Sequence, residues 1–179
     1  MPKGRRFSFG GPSSIEHSPE QLLRKFRLFP LIDDLHERAG SRRVVHMHGE
    51  LLKARCVACG TVSPCETDLS SGTPCPACAK RGRMRPHVVW FGEMPLFMDE
   101  IFAALEEADL FAAIGTSGSV YPAAGFVAQA RRHGISTCEI NLEPSDNAHI
   151  FDEAHYGPAS EAVPAWTGRV LSARASGAG

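Results

Sequence analysis

Four cysteines are spaced as Cys56-x2-Cys59-x15-Cys75-x2-Cys78. Each C-x-x-C turn aims two sulfurs at one point, so two such turns can close a tetrahedron of thiolates around zinc. Four sulfurs leave no open coordination position, so the expected ion holds the fold and does not activate water. Disulfides are the rival reading. Paired doublets in a chain whose first residues carry no continuous apolar stretch favour metal. Cys65 and Cys138 read as bystanders, a spare thiol and a small buried hydrophobe.

A second candidate is His48, in His46-x-His48-Gly49-Glu50. A histidine there could be a plain loop residue, a metal ligand or a general base, because imidazole titrates near neutrality. Two further segments could hold a nucleotide. Gly115-Thr116-Ser117-Gly118-Ser119 follows an apolar run and precedes a helical pattern. Its glycines permit close backbone approach, and its N–H groups and hydroxyls suit phosphate or ribose. Asn141-Leu142-Glu143 lies just past the next predicted strand, where a carboxylate can accept from ribose hydroxyls. A Gly-Ser loop by itself is often only a tight turn. Two such loops at consecutive strand ends favour a nucleotide, because open α/β sheets bind ligands there.

The elements that must position these residues follow from pattern. Ser18-Pro19-Glu20-Gln21 predicts a capped helix start, with Leu22, Leu23, Phe26 and Phe29 on one face and Pro30 as its stop. A brief helix is predicted from Asp33 to Ala39, ended by Gly40. Val44, Val45 and Met47 form a β-like run leading to His48. From Arg55 to about Pro86 large apolar side chains are scarce, so that segment needs a staple to fold. Val88 to Gly92 reads as a short strand, Met98 to Ala108 as a helix, and Leu110 to Ile114 as a buried parallel strand ending at Gly115. A helix over Pro122 to His133, a strand over Ser136 to Asn141 and a final helix over Ser160 to Leu171, with Pro164 inside it, complete the pattern.

The 179 residues suffice for one α/β domain plus a small module, and 43% hydrophobic residues can build a core. The net charge of −1 gives no bulk pull toward nucleic acid or membrane. Residues 1–27 carry six cations against two anions, read as a solvated basic arm rather than a nucleic-acid contact. No apolar run approaches the roughly 20 residues that span a bilayer. The expectation is a cytoplasmic protein with no membrane partner.

His46-Met47-His48-Gly49-Glu50, the cysteine doublets, Val88-Val89-Trp90-Phe91-Gly92-Glu93, Gly115-Thr116-Ser117 and Asn141-Leu142-Glu143 occur in the order and spacing of the sirtuins. The chain resembles their bacterial class III branch from about Ile32 to Leu171. The resemblance implies an NAD-dependent protein-lysine deacylase in which a Rossmann-type parallel sheet carries an inserted four-cysteine zinc module. It implies that His48 deprotonates a ribose hydroxyl. It implies that Val89, Trp90, Phe91, Gly92 and Glu93 pair with an acyl-lysine peptide. It further implies that Ile32, Asp33, Gly115, Thr116, Ser117, Asn141, Leu142, Glu143 and Ala159 contact NAD. The partner would be acylated lysine on proteins, and zinc would be structural, one ion per chain.

The pattern also departs from the family. No Gly-Ala-Gly-x-Ser phosphate loop occurs, and Pro30 and Leu31 stand where sirtuins carry Gln and Asn. The Tyr-x-x-Arg pair for acidic acyl groups is also missing. The expectation is a chain that has lost its amino-terminal part and binds NAD poorly. The expected organisation is an arm over 1–31, a segment leading to His48 over 32–50, the zinc module over 51–86, the NAD-binding part over 87–172 and a frayed tail over 173–179. Two alternatives remain at this point: a non-catalytic zinc-ribbon binding module, or a degenerate fragment without independent function.

Overall fold

The computed structural model describes residues 32–176. The capped helix expected from Ser18 and the basic arm lie outside the described residues. Those described fall into two compact units, 32–107 and 108–176.

The first unit is built on an antiparallel sheet. Strand β1 (Gly49–Cys56) lies between β2 (Val62–Pro64) and β3 (Met84–Val88). Lys53 pairs with Pro64 on one side of β1, and Gly49 pairs with Val88 on the other. Pro86 sits in β3, which a sheet tolerates because β3 is an edge strand and one missing N–H can face outward. The β1–β3 register shifts between Glu50 and Ala54, so Leu51, Leu52 and Lys53 bulge from the ladder. Two helices flank the sheet in sequence, α1 (Leu35–Arg38) and α2 (Met98–Glu106). Helix α2 buries Ile101 and Leu105, four residues apart on one face, each worth about 1.5–3 kcal/mol when fully buried.

Two expectations here are corrected. The run at Val44, Val45 and Met47 is not a strand. The Met47 N–H folds back to the Val45 carbonyl at 2.9 Å, and Val45 and Met47 are apolar because they are buried. The strand begins at Gly49. Likewise the Val88–Gly92 run contributes only Val88 to a strand. The Val89 N–H still reaches the His48 carbonyl at 2.9 Å, and the chain then turns. Gly92, at φ +86°, takes the turn position that excludes side chains, and the Glu93 N–H closes it on the Trp90 carbonyl at 2.9 Å. The β-rich composition of that run is overridden by the turn.

The second unit is a parallel sheet of β4 (Leu110–Ile114), β5 (Ser136–Asn141) and β6 (Glu153–Tyr156), in that order. Helix α3 (Phe126–Arg132) follows a 3-10 turn at Ala123–Gly125 and ends at Gly134, φ +73°. Helix α4 (Ala159–Ser176) starts one residue earlier than expected and runs five residues further. Pro164 lies within its second turn. Cys138 and Ile140 of β5 pack with Trp166 of α4, flanked by Leu110, Ala112, Ala162, Val163 and Val170. This is the parallel sheet expected of a Rossmann-type unit. Strand β6 escapes the sequence pattern because Glu153-Ala154-His155-Tyr156 is short, has no apolar run, and alternates the wrong way round, with Ala154 and Tyr156 exposed and Glu153 and His155 half-buried.

The amino end of this sheet is tied by Asp152. Its carboxylate accepts from the Thr137 N–H at 3.0 Å, from the Thr137 hydroxyl at 2.9 Å and from Arg131 at 2.5 Å. Arg131 also donates to the Ile150 carbonyl at 2.8 Å.

Candidate functional site

The four paired cysteines converge. Their sulfurs all lie within 4.8 Å of one another, with Cys56–Cys78 at 3.8 Å and Cys59–Cys75 at 3.6 Å. A tetrahedron with metal–sulfur bonds of about 2.3 Å has edges of about 3.8 Å, so the donors fit zinc in both type and spacing. The two knuckles repeat one backbone pattern. The Cys56 N–H donates to Thr61 O and the Cys75 N–H to Lys80 O, at 2.9 and 3.0 Å. Gly60 N–H returns to Cys56 O and Ala79 N–H to Cys75 O, at 2.8 and 2.9 Å. Both knuckles therefore end on a left-handed residue, Gly60 at φ +78° and Ala79 at φ +57°. Thr61, through its hydroxyl and backbone, brings the Cys59 thiol down to about 6. Cys65 stays outside the cluster and donates to Thr67 O at 3.3 Å.

His48 stands immediately before β1 in the first unit and is half-buried. Burial lowers its pKa below the usual 6.5, which keeps the ring neutral and able to accept a proton at pH 7. Its position is fixed by backbone on both sides, since Gly49 opens the β1–β3 ladder and Val89 bonds to the His48 carbonyl. Gly49, at φ +85°, has no room for a side chain: a Cβ there would lie 2.0 Å from the His87 carbonyl oxygen. In the same unit, Ile32 accepts from the Leu51 N–H at 2.8 Å, and Asp33 accepts from the Leu35 N–H at 3.1 Å, turning the chain into α1.

The turn from Val89 to Glu93 presents Trp90 half-exposed and Phe91 fully exposed. The Glu93 side chain folds inward. It accepts from Arg85 at 2.5 and 3.1 Å, from Arg55 at 3.1 and 3.3 Å, and from the Trp90 N–H at 3.0 Å. Arg85, with the Trp90 N–H helping, holds the Glu93 carboxyl down to about 2. The Arg85 guanidinium lies 3.5 Å over the Trp90 ring and also donates to Val88 O at 2.9 Å. Arg55 and Arg85 were not singled out in the sequence, where arginines in β1 and β3 look like ordinary solvated residues.

In the second unit, Gly115, Thr116, Ser117, Asn141, Leu142 and Glu143 line one cavity of about 310 Å³ at the carboxyl ends of β4 and β5. The two loops are laced together. Asn141 donates its side-chain amide to Thr116 O at 2.7 Å, and the Asp146 N–H reaches Ser117 O at 3.0 Å. Gly118 approaches Asn147 so closely that a Cβ would lie 2.2 Å from its Oδ1. Ala159 opens α4 just beyond β6, whose tip is tied to this end by the Gly157 N–H to Asn141 O bond at 2.9 Å. Behind the cavity sits Glu139, fully buried, accepting from the Ser145 N–H at 3.1 Å and the Tyr156 hydroxyl at 2.9 Å. The one acid within the buried strand Ser136–Asn141 was the signal that could have found it. A second donor group, Cys138, Glu153 and His155, already meets a cation, since Arg169 lies 2.9 Å from the His155 Nε2.

Taken together, the described residues define a class: a parallel α/β unit with a ligand-sized cavity at its strand ends, and a unit carrying a four-thiolate metal module and a half-buried histidine. Residues 22–122 match the Sir2 family, and the chain belongs to that family, the sirtuins. The match starts ten residues upstream of Ile32, where the resemblance read from the sequence begins. The chain is similar to the NAD-dependent protein deacylase of Caulobacter vibrioides, 65% identical over 141 residues, 79% of this chain and 59% of that one. It is 55% identical over 146 residues to the Escherichia coli protein of the same name, covering 82% and 52% of the two chains. Its fold is similar to a crystal structure of a Sir2 homologue–NAD complex, with a TM-score of 0.71 and 35% identity over 79% of this chain and 56% of that one. A Sir2–p53 peptide–NAD+ structure has a TM-score of 0.64 and 28% identity over 80% and 60%. The chain thus spans roughly half to two thirds of the length of the curated relatives it matches.

Proposed function

We propose that this chain acts in NAD-dependent removal of acyl groups from protein lysine. The observation that carries the reading is the family match across residues 22–122, which includes His48, all four zinc-type cysteines and the Val89–Glu93 turn. Relatives at 55–65% identity named as NAD-dependent protein deacylases add to it.

In this reading Gly115, Thr116, Ser117, Asn141, Leu142 and Glu143 hold NAD, with Ile32, Asp33 and Ala159 as further contacts. Bound NAD supplies a ribose carbon made electrophilic by the departing nicotinamide. His48 takes a proton from a ribose hydroxyl, which its neutral, half-buried ring is suited to do. The edge strand β3 and the turn beyond it receive the acyl-lysine peptide by adding a strand, for which the edge position of β3 among the described strands and the exposed Trp90 and Phe91 are suited. Zinc, held by Cys56, Cys59, Cys75 and Cys78, keeps residues 51–86 folded.

The test is NAD-dependent deacylation of an acetyl-lysine and a succinyl-lysine peptide by the chain and by His48→Ala. The reading expects turnover that requires NAD and falls by at least about a hundredfold in the variant. A chain that binds no NAD, or a His48→Ala variant that turns over normally, overturns it.

A further inference from the structure

Glu93 belongs to the segment that the proposed reading gives to the peptide, yet its carboxylate, with the side chain still 34% exposed, is engaged on both oxygens in a brace. Arg85 grips it with both terminal nitrogens, and Arg55 grips it from the neighbouring strand. The same carboxylate accepts from the Trp90 N–H, while the Glu93 N–H donates to the Trp90 carbonyl. The turn is therefore crossed twice between the same two residues, once through backbone and once through side chain. Arg85 completes the brace by covering the Trp90 ring and binding Val88 O, the last strand residue before the turn.

The brace answers a physical difficulty. Phe91 is wholly exposed and Trp90 more than half exposed, so among the described residues no apolar core fixes this turn. An unsupported apolar turn in water samples many conformations, and a peptide that must add along it would have to order it on binding. A bidentate carboxylate–guanidinium pair fixes orientation as well as distance. Both arginines are anchored in strands that pair with each other, Arg55 directly opposite Arg85. The turn is thereby set against the same ladder that carries the His48 carbonyl bond to Val89.

We propose that Glu93 is a positioning residue that, clamped by Arg85 and Arg55, presets the Trp90–Gly92 turn for an incoming acyl-lysine peptide and does not itself touch that peptide through its side chain. The inference rests on the deacylase reading and adds to it a determinant of peptide affinity. Because the brace is formed before any ligand arrives, its loss should weaken peptide capture and spare both NAD binding and the chemical step.

The experiment compares the chain with Glu93→Gln, Glu93→Asp and Arg85→Lys, using a fluorescein-labelled acetyl-lysine peptide for binding and the unlabelled peptide for turnover. Trp90 emission, taken as the difference from Trp90→Phe, reports the brace without ligand. Glu93→Gln should raise peptide Kd and KM roughly tenfold, the loss expected for a charge-assisted clamp. Its kcat and KM for NAD should stay within about twofold, and Trp90 emission should shift. Glu93→Asp should recover part of the peptide affinity. Arg85→Lys, which keeps charge and loses the fork, should behave like Glu93→Gln. Unchanged peptide affinity in Glu93→Gln overturns the proposal, as does a fall in kcat and NAD affinity in the same proportion, which would mark a general folding defect. A parent chain that turns over the peptide with NAD while Glu93→Gln captures it equally well overturns the proposal alone. A parent chain that takes up neither overturns the deacylase reading and the proposal with it.

Discussion

Replacing Gly49 by alanine should damage the first unit at the one point where backbone geometry leaves no margin. Gly49 has φ +85°, a conformation that costs an L-residue roughly 1–2 kcal/mol. The added Cβ would lie 2.0 Å from the His87 carbonyl oxygen and 2.9 Å from the His87 carbonyl carbon and the Val88 Cα. Carbon and oxygen approach comfortably at about 3.3 Å, so β3 must recede from β1 by about 1.3 Å at the pair Gly49–Val88. Every offending atom is backbone, so no side chain can swing aside. Overpacking of this kind costs a further 1–3 kcal/mol or so. The sum is about 2–5 kcal/mol. Urea unfolding followed through Trp90 measures it as a fall in midpoint at constant slope. The internal control is Gly40→Ala in the same unit, where φ is +91° but nothing lies within 4 Å of the new Cβ, so only the dihedral strain applies. If the two variants lose stability equally, within about 0.5 kcal/mol, the steric argument is wrong.

Four further outcomes are expected. Ala79 occupies a left-handed position whose counterpart in the other knuckle is Gly60, so Ala79→Gly should stabilise the zinc module by about 1 kcal/mol, read from its resistance to chelator or urea. Titration with a strong chelator should release one zinc per chain and expose residues 56–86 to hydrogen exchange; full protection after zinc loss would contradict a metal-held segment. The acid limb of the pH–rate profile should fall below pH 6.5, because burial lowers the His48 pKa and the neutral ring is the active form; a limb at pH 7 or above would refute this. Stability should move the same way: the folded pKa lies under the unfolded one, so the His48 contribution is intact above about pH 6.5 and lost as pH falls toward the folded value.

Much of the second unit was legible in the sequence because its signals are local. The run Leu110–Ile114 closed by Gly115, and the run Ser136–Asn141, announce strands by composition alone, and their tips are where the cavity lies; only the second is buried, since Leu110 to Ala113 are half-buried and Ile114 is exposed. The cysteine doublets were legible because the chemistry dictates the spacing. What the sequence concealed depends on partners distant along the chain. Val44, Val45 and Met47 are apolar to fill a core, and the same letters would serve a strand. Val89 to Gly92 has strand-like residues, but a glycine at positive φ and a carboxylate three residues beyond Trp90 decide for a turn. Arg55 and Arg85 gain their role only once β1 and β3 are paired, which no spacing rule predicts across the zinc module that separates them. Glu139 is similar: its partners Ser145 and Tyr156 are brought to it by the return of β6.

The knot that Asp152 makes with Thr137 and Arg131 gives the parallel sheet a polarity of stiffness. Strand register is locked at the end remote from the cavity, so the opposite end can tolerate sequence change in its loops without letting the strands slide. Recoding the exposed positions Leu142 and Glu143, clear of the Gly118–Asn147 contact and the Asn141–Thr116 bond, should therefore alter what is bound before it alters how the sheet pairs. A lineage, or an engineer, could retune ligand preference there while the foundation stays put.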